Sequence, residues 1–348
     1  MRRISGAVIA NYICSLIWVV IGIDGICNGS PYASSYYKFF AALWFAAIAT
    51  YYLLVGIGKI KPFSKKKKAI IGVTGLVVVL AVFFICVGNY TVETYKYNIK
   101  SEKIPESFDG FRIVQVSDLH NAEFDKYNST VLSPIFHAEP DIIVITGDLI
   151  DSRNTKVDVA ISIAQKAVNI APVYYINGNH EARVPDEYEK LKQGLIDAGV
   201  TILENDSVDI TIGDEAITLI GLNDSSFTME EYVDDTMMQN VSHQLMSVVL
   251  DNNNYKVLLA HKPDYFDVYA GKVDLVLSGH AHGGQFRIPF VGGLVAPGQG
   301  FFPEYYEGSH IKENTEMIVS RGIGNSIIPF RINNKPEIVV AELTKIAK

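Results

Sequence analysis

The chain has 348 residues, a mean hydropathy of +0.18 and a net charge of −8. The hydropathy is high for an entirely soluble enzyme and points to membrane segments. Residues 1–107 carry 12 Lys and Arg against 4 Asp and Glu, whereas the remaining 241 residues carry 18 against 34. The net charge of −16 on this second part argues against nucleic acid as a habitual partner, since no basic stripe is available to neutralise a phosphate backbone.

Three apolar stretches near the N-terminus predict a membrane anchor of residues 1–88. Each is 20 residues long and free of Asp, Glu, Lys and Arg: residues 4–23, 39–58 and 69–88. A helix of about 20 residues crosses a hydrocarbon core of roughly 30 Å. The first stretch is also compatible with a cleavable signal peptide, because Arg2 and Arg3 precede it.

The basic loops predict the orientation of this anchor. Six lysines, including the run Lys65–Lys68, separate the second and third stretches, whereas the loop before the second stretch contains only Lys38. The lysine-rich loop is therefore predicted to be cytoplasmic, and everything after the third span to lie outside the cytoplasm. The lysine run has a second interpretation as a site for anionic lipid.

The part after the anchor is predicted to fold around a hydrophobic core without disulfides. The three cysteines, Cys14, Cys27 and Cys86, all lie in or beside the apolar stretches. A domain of 241 residues buries enough surface to be stable without cross-links. We predict a polar linker over residues 89–107 and a domain over residues 108–348.

Short Val- and Ile-rich runs alternate with helical patterns in this domain. The runs are "FRIVQVSD", "DIIVITGD", "PVYYINGN", "AITLIGLND", "YKVLLAHK", "VDLVLSGH", "EMIVSRG" and "PEIVVAEL". Continuous apolar runs of this length are typical of strands covered on both faces. "TKVDVAISIAQKAVNI" and "DEYEKLKQGLIDAG" predict helices, the second ending at a glycine. The pattern predicts an α/β fold in which helices pack on mixed sheets.

Nearly every predicted strand ends in a residue type that binds metals. The candidate ligands are Asp118, His120, Asp148, Asn179, His261, His280 and His282, with His180 beside them. One such Asp or His alone is more often a turn or core residue, but five of the eight histidines lie in these segments. Carboxylates, an amide and imidazoles suit Mn, Fe or Zn. Seven ligands suit two ions that share a carboxylate.

In order and type, "DLH", "GD", "GNHE", "H" and "GHAH" resemble the signature of the calcineurin-like metallophosphoesterases over residues 108–348. The segments "GHAHGGQFRIP" and "PFRINNKPEIV" are similar to a membrane-associated branch that includes UDP-diacylglucosamine hydrolases and cell-envelope phosphodiesterases. The resemblance implies a four-layer α/β sandwich with two divalent metal ions. Lys262 departs from the branch, where an acidic residue often follows the histidine.

The resemblance also implies roles for individual residues. Asp148 bridges the two ions. The ligands of one ion are Asp118, His120, Asp148 and His282, and those of the other are Asp148, Asn179, His261 and His280. His180 acts at the leaving group, with Glu181 orienting or tuning it. Apart from the resemblance, the charge on a phosphate calls for a cation: Arg183, just after the GNHE segment, is the first candidate, and Arg321 and Arg331 are further candidates.

The segment "SGHAHGGQ" carries a more detailed expectation. In an extended backbone, His280 and His282 point in the same general direction and Ala281 points away. One strand end then provides a ligand for each ion. Gly283 and Gly284 are expected to keep side chains clear of the incoming phosphate.

Two functions are compatible with these patterns. The first is a membrane-anchored, binuclear-metal phosphodiesterase or pyrophosphatase that acts outside the cytoplasm on lipid-linked or cell-envelope phosphate esters. The second is a non-catalytic metal-binding membrane scaffold or sensor with a phosphoesterase fold. The complete set of ligand positions favours the enzyme. The apolar stretches contain too few polar groups to line a transport path, so we interpret them as an anchor.

Overall fold

The computed structural model describes residues 47, 50, 51, 53–55, 58, 64–67, 70, 73–77, 88–125, 128–227, 234–249, 252–325 and 330–347. The chain divides into two compact units, Met1–Tyr90 and Thr91–Lys348. The predicted spans lie largely outside the described residues, the first span entirely so. Within the part that is described, no helix has both the length and the apolar character needed to cross a membrane. The three spans therefore stay predictions.

The described part of the second unit contains sixteen strands and six α-helices. The strands are β1 Glu93–Ser101, β2 Arg112–Val116, β3 Ile142–Thr146, β4 Val173–Ile176, β5 Thr201–Ile202, β6 Asp206–Ile212, β7 Glu215–Gly221, β8 Tyr255–Leu259, β9 Leu275–Ser278, β10 Arg287–Ile288, β11 Gly292–Gly293, β12 Val295–Ala296, β13 Gly300–Phe301, β14 Gly308–Lys312, β15 Thr315–Val319 and β16 Glu337–Lys345. The helices are α1 Ser129–His137, α2 Val157–Ala167, α3 Asn179–Ala182, α4 Pro185–Asp197, α5 Asp234–Val248 and α6 Phe266–Tyr269.

Two six-stranded mixed sheets organise this unit. The first has the order β1-β16-β2-β3-β4-β5, and the second has the order β14-β15-β9-β8-β7-β6. Four strands of each sheet are parallel, β2 to β5 in the first and β15, β9, β8 and β7 in the second. Each of the eight runs predicted as strands overlaps one of the strands β2, β3, β4, β7, β8, β9, β15 and β16, so those predictions are confirmed.

The predicted linker is wrong over its central part. Residues 93–101 form β1, which pairs in parallel with β16 along its whole length, from Glu93 opposite Glu337 to Ser101 opposite Lys345. Its inward residue Ile99 belongs to the core between the sheets. The polar composition of the segment predicts a linker, but an edge strand needs only one buried face and can be largely polar.

The main core lies between the two sheets. Alternate residues of each central strand enter it, such as Ile113 and Val144 from the first sheet and Val257 and Leu275 from the second. The residues between them face the other side: Leu258 and Val276 pack on α5 and α6 in a second core. Strands covered on both faces explain the continuous apolar runs in the sequence.

Helices α2 and α4 follow β3 and β4 and pack on each other. At their contact, Gly194 of α4 lies so close to Ile161 of α2 that a Cβ at Gly194 would overlap its side chain. Helix α1 contacts β16 of the first sheet. The predicted α/β architecture with helices on mixed sheets is confirmed in this unit.

Candidate active site

All seven predicted metal ligands are buried, none more than 6 % exposed. They lie where parallel strands end: Asp118 and His120 follow β2, Asp148 follows β3, Asn179 follows β4, His261 follows β8, and His280 and His282 follow β9. Because the two sheets pack face to face, these strand ends meet, and loops at such ends are held by rigid strands.

The first group of converging ligands contains Asp118, His120 and His282. The Nε2 atoms of His120 and His282 lie 3.0 Å apart. Asp118 Oδ1 lies 3.5 Å from His282 Nε2 and 3.9 Å from His120 Nε2. Two residues from the first sheet and one from the second therefore direct their donor atoms at one point.

The second group contains Asp148, His261 and His280. His261 Nε2 lies 3.2 Å from Asp148 Oδ2 and 3.2 Å from the oxygen of the Asn179 amide. The amide atom of Asn179 that faces His261 also lies 2.8 Å from His280 Nδ1. The four ligands expected for the second ion are thus together.

Asp148 lies between the two groups. Its Oδ2 atom is 3.2 Å from His261 Nε2 and 3.6 Å from His120 Nε2. Its Oδ1 atom accepts a hydrogen bond of 2.8 Å from the backbone N–H of His180, which orients the carboxylate. This is the position that a bridging ligand requires.

The backbone at the site is unusual. Five of the seven ligand positions have positive φ: Asp118, His120, Asp148, His280 and His282. Such angles are uncommon outside glycine and concentrate at functional sites. The expectation of an extended backbone at His280 and His282 is therefore wrong, because φ is 66° and 49° there.

Two glycines allow the loops to approach each other closely. A Cβ at Gly178 would overlap Asp148 Oδ1, and a Cβ at Gly279 would overlap Ser117 Oγ and Asp118 Oδ2. Gly283 and Gly284, which we expected to leave room for the phosphate, instead lie against other parts of the protein. A Cβ there would meet the side chain of Asn334 or the backbone of Gly293, so these glycines allow close packing within the protein.

Burial keeps most of the imidazoles neutral. It lowers the pKa of His120 and of His280 to about 3, and it lowers the pKa of His282 well below its ordinary value. His261 differs, because the Asp148 carboxylate outweighs the effect of burial and raises its pKa to about 10. Burial raises the pKa of Asp118 to about 6. For Asp148, the nearby histidines outweigh burial and hold the pKa well below its ordinary range.

This donor set fits divalent cations. Neutral His120 and His282 have Nε2 atoms 3.0 Å apart, and the oxygen of Asn179 is directed at two imidazole nitrogens. With no cation present, Asn179 would be better satisfied by presenting its NH₂ group to the imidazoles and its oxygen to Arg183, 3.2 Å away. An amide oxygen turned inward would add to the oxygen and nitrogen donors that such a cation prefers.

His180 lies beside the first group, with its ring edge-on to His120 at 4.5 Å between centroids. Its Nδ1 atom accepts a hydrogen bond of 3.0 Å from the backbone N–H of Ser152. Since a backbone N–H only donates, the neutral ring carries its proton on Nε2. Asp151 Oδ1 lies 3.7 Å from Nδ1. We did not single out Asp151 from the sequence, although it follows Asp148 by three residues in the same strand-end loop.

Glu181 contacts the backbone around Asp148 and His180. Its buried carboxylate accepts hydrogen bonds from the backbone N–H groups of Gly178, Asp148 and Ile150, at 2.8, 3.0 and 3.1 Å. Burial raises the pKa of Glu181 to about 8. The residue therefore holds the loops after β3 and β4 together. It acts on the backbone that positions Asp148 and His180.

The three candidate arginines have different surroundings. Arg183 is exposed, and its guanidinium lies 3.2 Å from the outer atom of the Asn179 amide. Arg321 is buried and ion-paired, with its Nε 2.6 Å from Glu337 Oε2. Arg331 is 1 % exposed, donates to backbone carbonyl oxygens of residues 321 and 324, and lies 3.2 Å from His282 Nδ1. Only Arg183 combines exposure with contact to a predicted ligand.

Lys262 forms a buried ion pair that the sequence did not reveal. Its Nζ atom lies 3.1 Å from Asp224 Oδ1 and donates to Ser225 Oγ and Ser226 Oγ at 3.0 Å. Burial alone would raise the pKa of Asp224, but Lys262 outweighs it and lowers the pKa. Asp224 follows β7, so the same rule that selected the other strand-end residues would have selected it. The pair links the loops after β7 and β8.

Comparisons with known proteins agree with the site. Residues 111–284 match the family of calcineurin-like phosphoesterases. The chain is 33% identical over 261 residues to the uncharacterized metallophosphoesterase YkuE of Bacillus subtilis. The matched region covers 73% of this chain and 86% of YkuE. It is 27% identical over 238 residues to the phosphodiesterase YaeI of Escherichia coli, covering 67% of this chain and 82% of YaeI.

A third relative is a transmembrane protein with a metallophosphoesterase domain from Danio rerio. It is 29% identical over 277 residues, covering 75% of this chain and 59% of the relative. The chain belongs to the calcineurin-like phosphoesterases. It is a metal-dependent hydrolase of phosphoric esters.

Proposed function

We propose that the chain is a two-metal phosphodiesterase or pyrophosphatase, with Mn, Zn or Fe as the metal. The observation that carries this proposal is the position of Asp148, whose Oδ2 atom lies within 3.6 Å of an imidazole from each ligand group. A single carboxylate shared between two groups of ligands is what a pair of ions needs. The name of the relative YaeI supports a diester as substrate.

Seven residues would hold the two ions. Asp118, His120 and His282 would bind one, Asn179, His261 and His280 the other, and Asp148 both. When bound, two divalent ions supply Lewis-acid charge for the phosphate oxygens and an activated water as nucleophile. Glu181 maintains this arrangement, because it ties the backbone at Asp148 to the backbone at Gly178.

His180 would act on the leaving group. With Nδ1 accepting from Ser152, the ring presents Nε2–H as its donor, and burial lowers its pKa. A neutral Nε2–H held in a fixed direction can donate a hydrogen bond to the leaving oxygen as charge builds up there. Asp151 Oδ1 lies 3.7 Å from the same Nδ1 atom and would stabilise a positive charge on the ring. Arg183 would contact the phosphate, since its exposed guanidinium already reaches Asn179.

We further propose that the enzyme is anchored in the cell membrane by residues 1–88 and acts outside the cytoplasm on lipid-linked or cell-envelope phosphate esters. The support comes from the charge-free apolar stretches and the lysine-rich loop. Within the third stretch, the described helical residues Val73, Leu76 and Val77 are each about 60 % exposed. An exposed apolar helix face is typical of contact with lipid or another apolar surface.

The bridging role is tested by Asp148→Asn in the full chain. An amide cannot neutralise two ions as a carboxylate does, so we expect hydrolysis of bis(p-nitrophenyl) phosphate to fall by about 10³-fold or more, which corresponds to about 4 kcal/mol. Exposed Asp214 lies in the turn between β6 and β7, and Asp214→Asn is the matched control. Wild-type rates in Asp148→Asn with unchanged thermal unfolding would show that the assignment of the bridge is wrong.

The proposed substrate class is tested with a panel of phosphate esters. The full chain, loaded in turn with Mn, Zn and Fe, would be assayed with a phosphomonoester, a diester, a nucleotide-sugar pyrophosphate and a phospholipid. We expect faster turnover of a diester or pyrophosphate than of the monoester. Preference for the monoester would contradict the proposed substrate class.

A further inference from the structure

A ribbon of short strands carries exposed apolar side chains beside the metal ligands. We call residues 285–302 together with 330–332 the apolar ribbon. Strand β10 pairs with β11, and β12 pairs with β13. Phe286 bridges to Ile332, and Leu294 links the two hairpins by donating its N–H to Phe286 and accepting the N–H of Phe302. These hydrogen bonds join the segments into one continuous ribbon.

Its apolar side chains are exposed to an unusual extent. Phe290 is fully exposed, and Phe301, Phe302 and Val291 are 74 %, 63 % and 58 % exposed. Ile288, Phe330 and Ile332 are each about two fifths exposed. Contiguous apolar patches of this kind mark contacts with a membrane, a ligand or another protein. The ribbon begins three residues after His282, and a Cβ at Gly284 would overlap the backbone of Gly293, so the ribbon packs against the loop that carries His282.

The charge of the ribbon favours a lipid surface. Residues 283–302 contain no Asp or Glu, although the last 241 residues of the chain contain 34. The only charged residue in this segment, Arg287, forms an ion pair with Glu307. Carboxylates near a bilayer lose hydration and are repelled by anionic headgroups, so their absence from the most apolar surface fits contact with lipid.

The point where the chain enters the second unit lies close to the ribbon. The N–H of Glu93 donates to the carbonyl of Pro336 at 2.8 Å, and Glu93 Oε1 pairs with Lys335 Nζ at 2.7 Å. Pro336 is four residues from Ile332 of the ribbon. Only residues 89–92 separate the third predicted span from Glu93, and five steps of extended chain reach at most about 18 Å. The connection between the predicted span and Glu93 is therefore short.

We propose that the apolar ribbon contacts the lipid bilayer, with Phe290, Phe301 and Phe302 entering its headgroup region. This inference rests on the proposed membrane anchor. The contact holds the active site at the bilayer surface, where phosphate esters of lipids are presented. It gives the enzyme a second attachment to the membrane besides its N-terminal anchor.

The test uses the full chain in phosphatidylcholine vesicles. Cys14, Cys27 and Cys86 are replaced by serine, and Phe290→Cys is labelled with an environment-sensitive fluorophore. The matched control is Phe136→Cys. Phe136 is also 63 % exposed but lies in α1, whose end at Ala138 contacts Arg112 at the start of β2, away from the strand ends that form the site.

Vesicles containing spin-labelled phosphatidylcholine should quench the label at position 290 by about half, since interfacial groups lie roughly 5–10 Å into the boundary of the bilayer. The label at position 136 should keep its emission. Equal quenching at the two positions would overturn the proposal. Energy transfer between labels at position 290 of two copies, without quenching by lipid, would also overturn it, because the ribbon would then bind a second copy of the chain.

A second variant separates this inference from the proposed function. Phe301→Ser with Phe302→Ser should abolish quenching at position 290 and leave hydrolysis of soluble bis(p-nitrophenyl) phosphate within about twofold of the parent chain, because neither side chain is placed in the catalytic machinery. Quenching that persists in this variant would count against the ribbon. Absence of hydrolysis in the parent chain would contradict the proposed function and leave the quenching result to be judged by itself.

Discussion

The two sheets contribute different chemistry to one site. The first sheet provides both carboxylates, Asp118 and Asp148, together with an amide and one imidazole. The second provides imidazoles alone, from His261, His280 and His282. Each group of ligands contains residues from both sheets. Neither sheet alone therefore contains a complete group of candidate ligands, and each group forms only when the sheets pack on each other.

The largest effects should come from the two histidines at the end of β9. His282→Ala removes a ligand of the first group and His280→Ala a ligand of the second. Each variant should bind one ion fewer than the parent chain, and diester hydrolysis should fall by about 10³-fold, or about 4 kcal/mol. Metal content measured by mass spectrometry after dialysis checks this. Loss of the same ion from both variants would contradict the division into two groups.

The contact between the two sheets is tested at Gly279. In Gly279→Ala the new Cβ overlaps Ser117 Oγ and Asp118 Oδ2, so the loops after β2 and β9 must separate. Overpacking of this kind costs about 3 kcal/mol of unfolding free energy, and metal affinity should fall with it. Thermal unfolding and metal titration measure the two effects. Ser117→Ala in the same chain should restore part of the stability, and no restoration would place the strain elsewhere.

A buried polar link between the sheets should have a smaller effect. The Gln115 amide nitrogen donates to Ser278 O and to Thr146 Oγ1, both at 2.9 Å. Gln115→Leu leaves a buried carbonyl of β9 without this donor and should cost about 2 kcal/mol. Gln165→Leu, on the exposed face of α2, is the control for adding an apolar side chain. An equal loss of stability in Gln115→Leu and Gln165→Leu would show that the hydrogen bonds of Gln115 do not stabilise the contact between the sheets.

The smallest change in stability is expected at Asp264, a largely buried carboxyl group that follows β8 of the second sheet. Burial raises the pKa of Asp264 to about 6, whereas the histidines around Asp148 lower its pKa. Ionising Asp264 therefore lowers the free energy of unfolding: the loss is absent below the unfolded pKa of about 4, grows as the pH rises, and is complete above about 6. Asp264→Asn should stabilise the chain by about 1–2 kcal/mol at pH 8 and have little effect at pH 4.

Thermal unfolding of the full chain at the two pH values measures the effect of Asp264→Asn. Exposed Asp214→Asn is the control and should be neutral at both. Stabilisation by Asp264→Asn that is equal at pH 4 and pH 8 would show that the gain does not come from removing a buried charge.

Local patterns in the sequence were enough to predict the central strands and the ligand types. A strand buried on both faces requires a continuous apolar run, and its end requires polar residues, so β3 and Asp148 are visible together. Edge strands were missed, because β1 and β6 bury only one face and their apolar content is correspondingly low. Helix α1 was also missed: Pro134 lies inside it and its buried residues are few.

Within the site, the sequence determined which residues can bind metal, because that capacity belongs to the side chains themselves. The tertiary structure decided which of them meet, since the ligands of each group come from different sheets. It also decided three roles that no local pattern carries: the proton position on His180, the backbone contacts of Glu181, and the ion pairs of Arg321. Each depends on atoms brought together from distant parts of the chain, and only packing places those atoms within hydrogen-bonding distance.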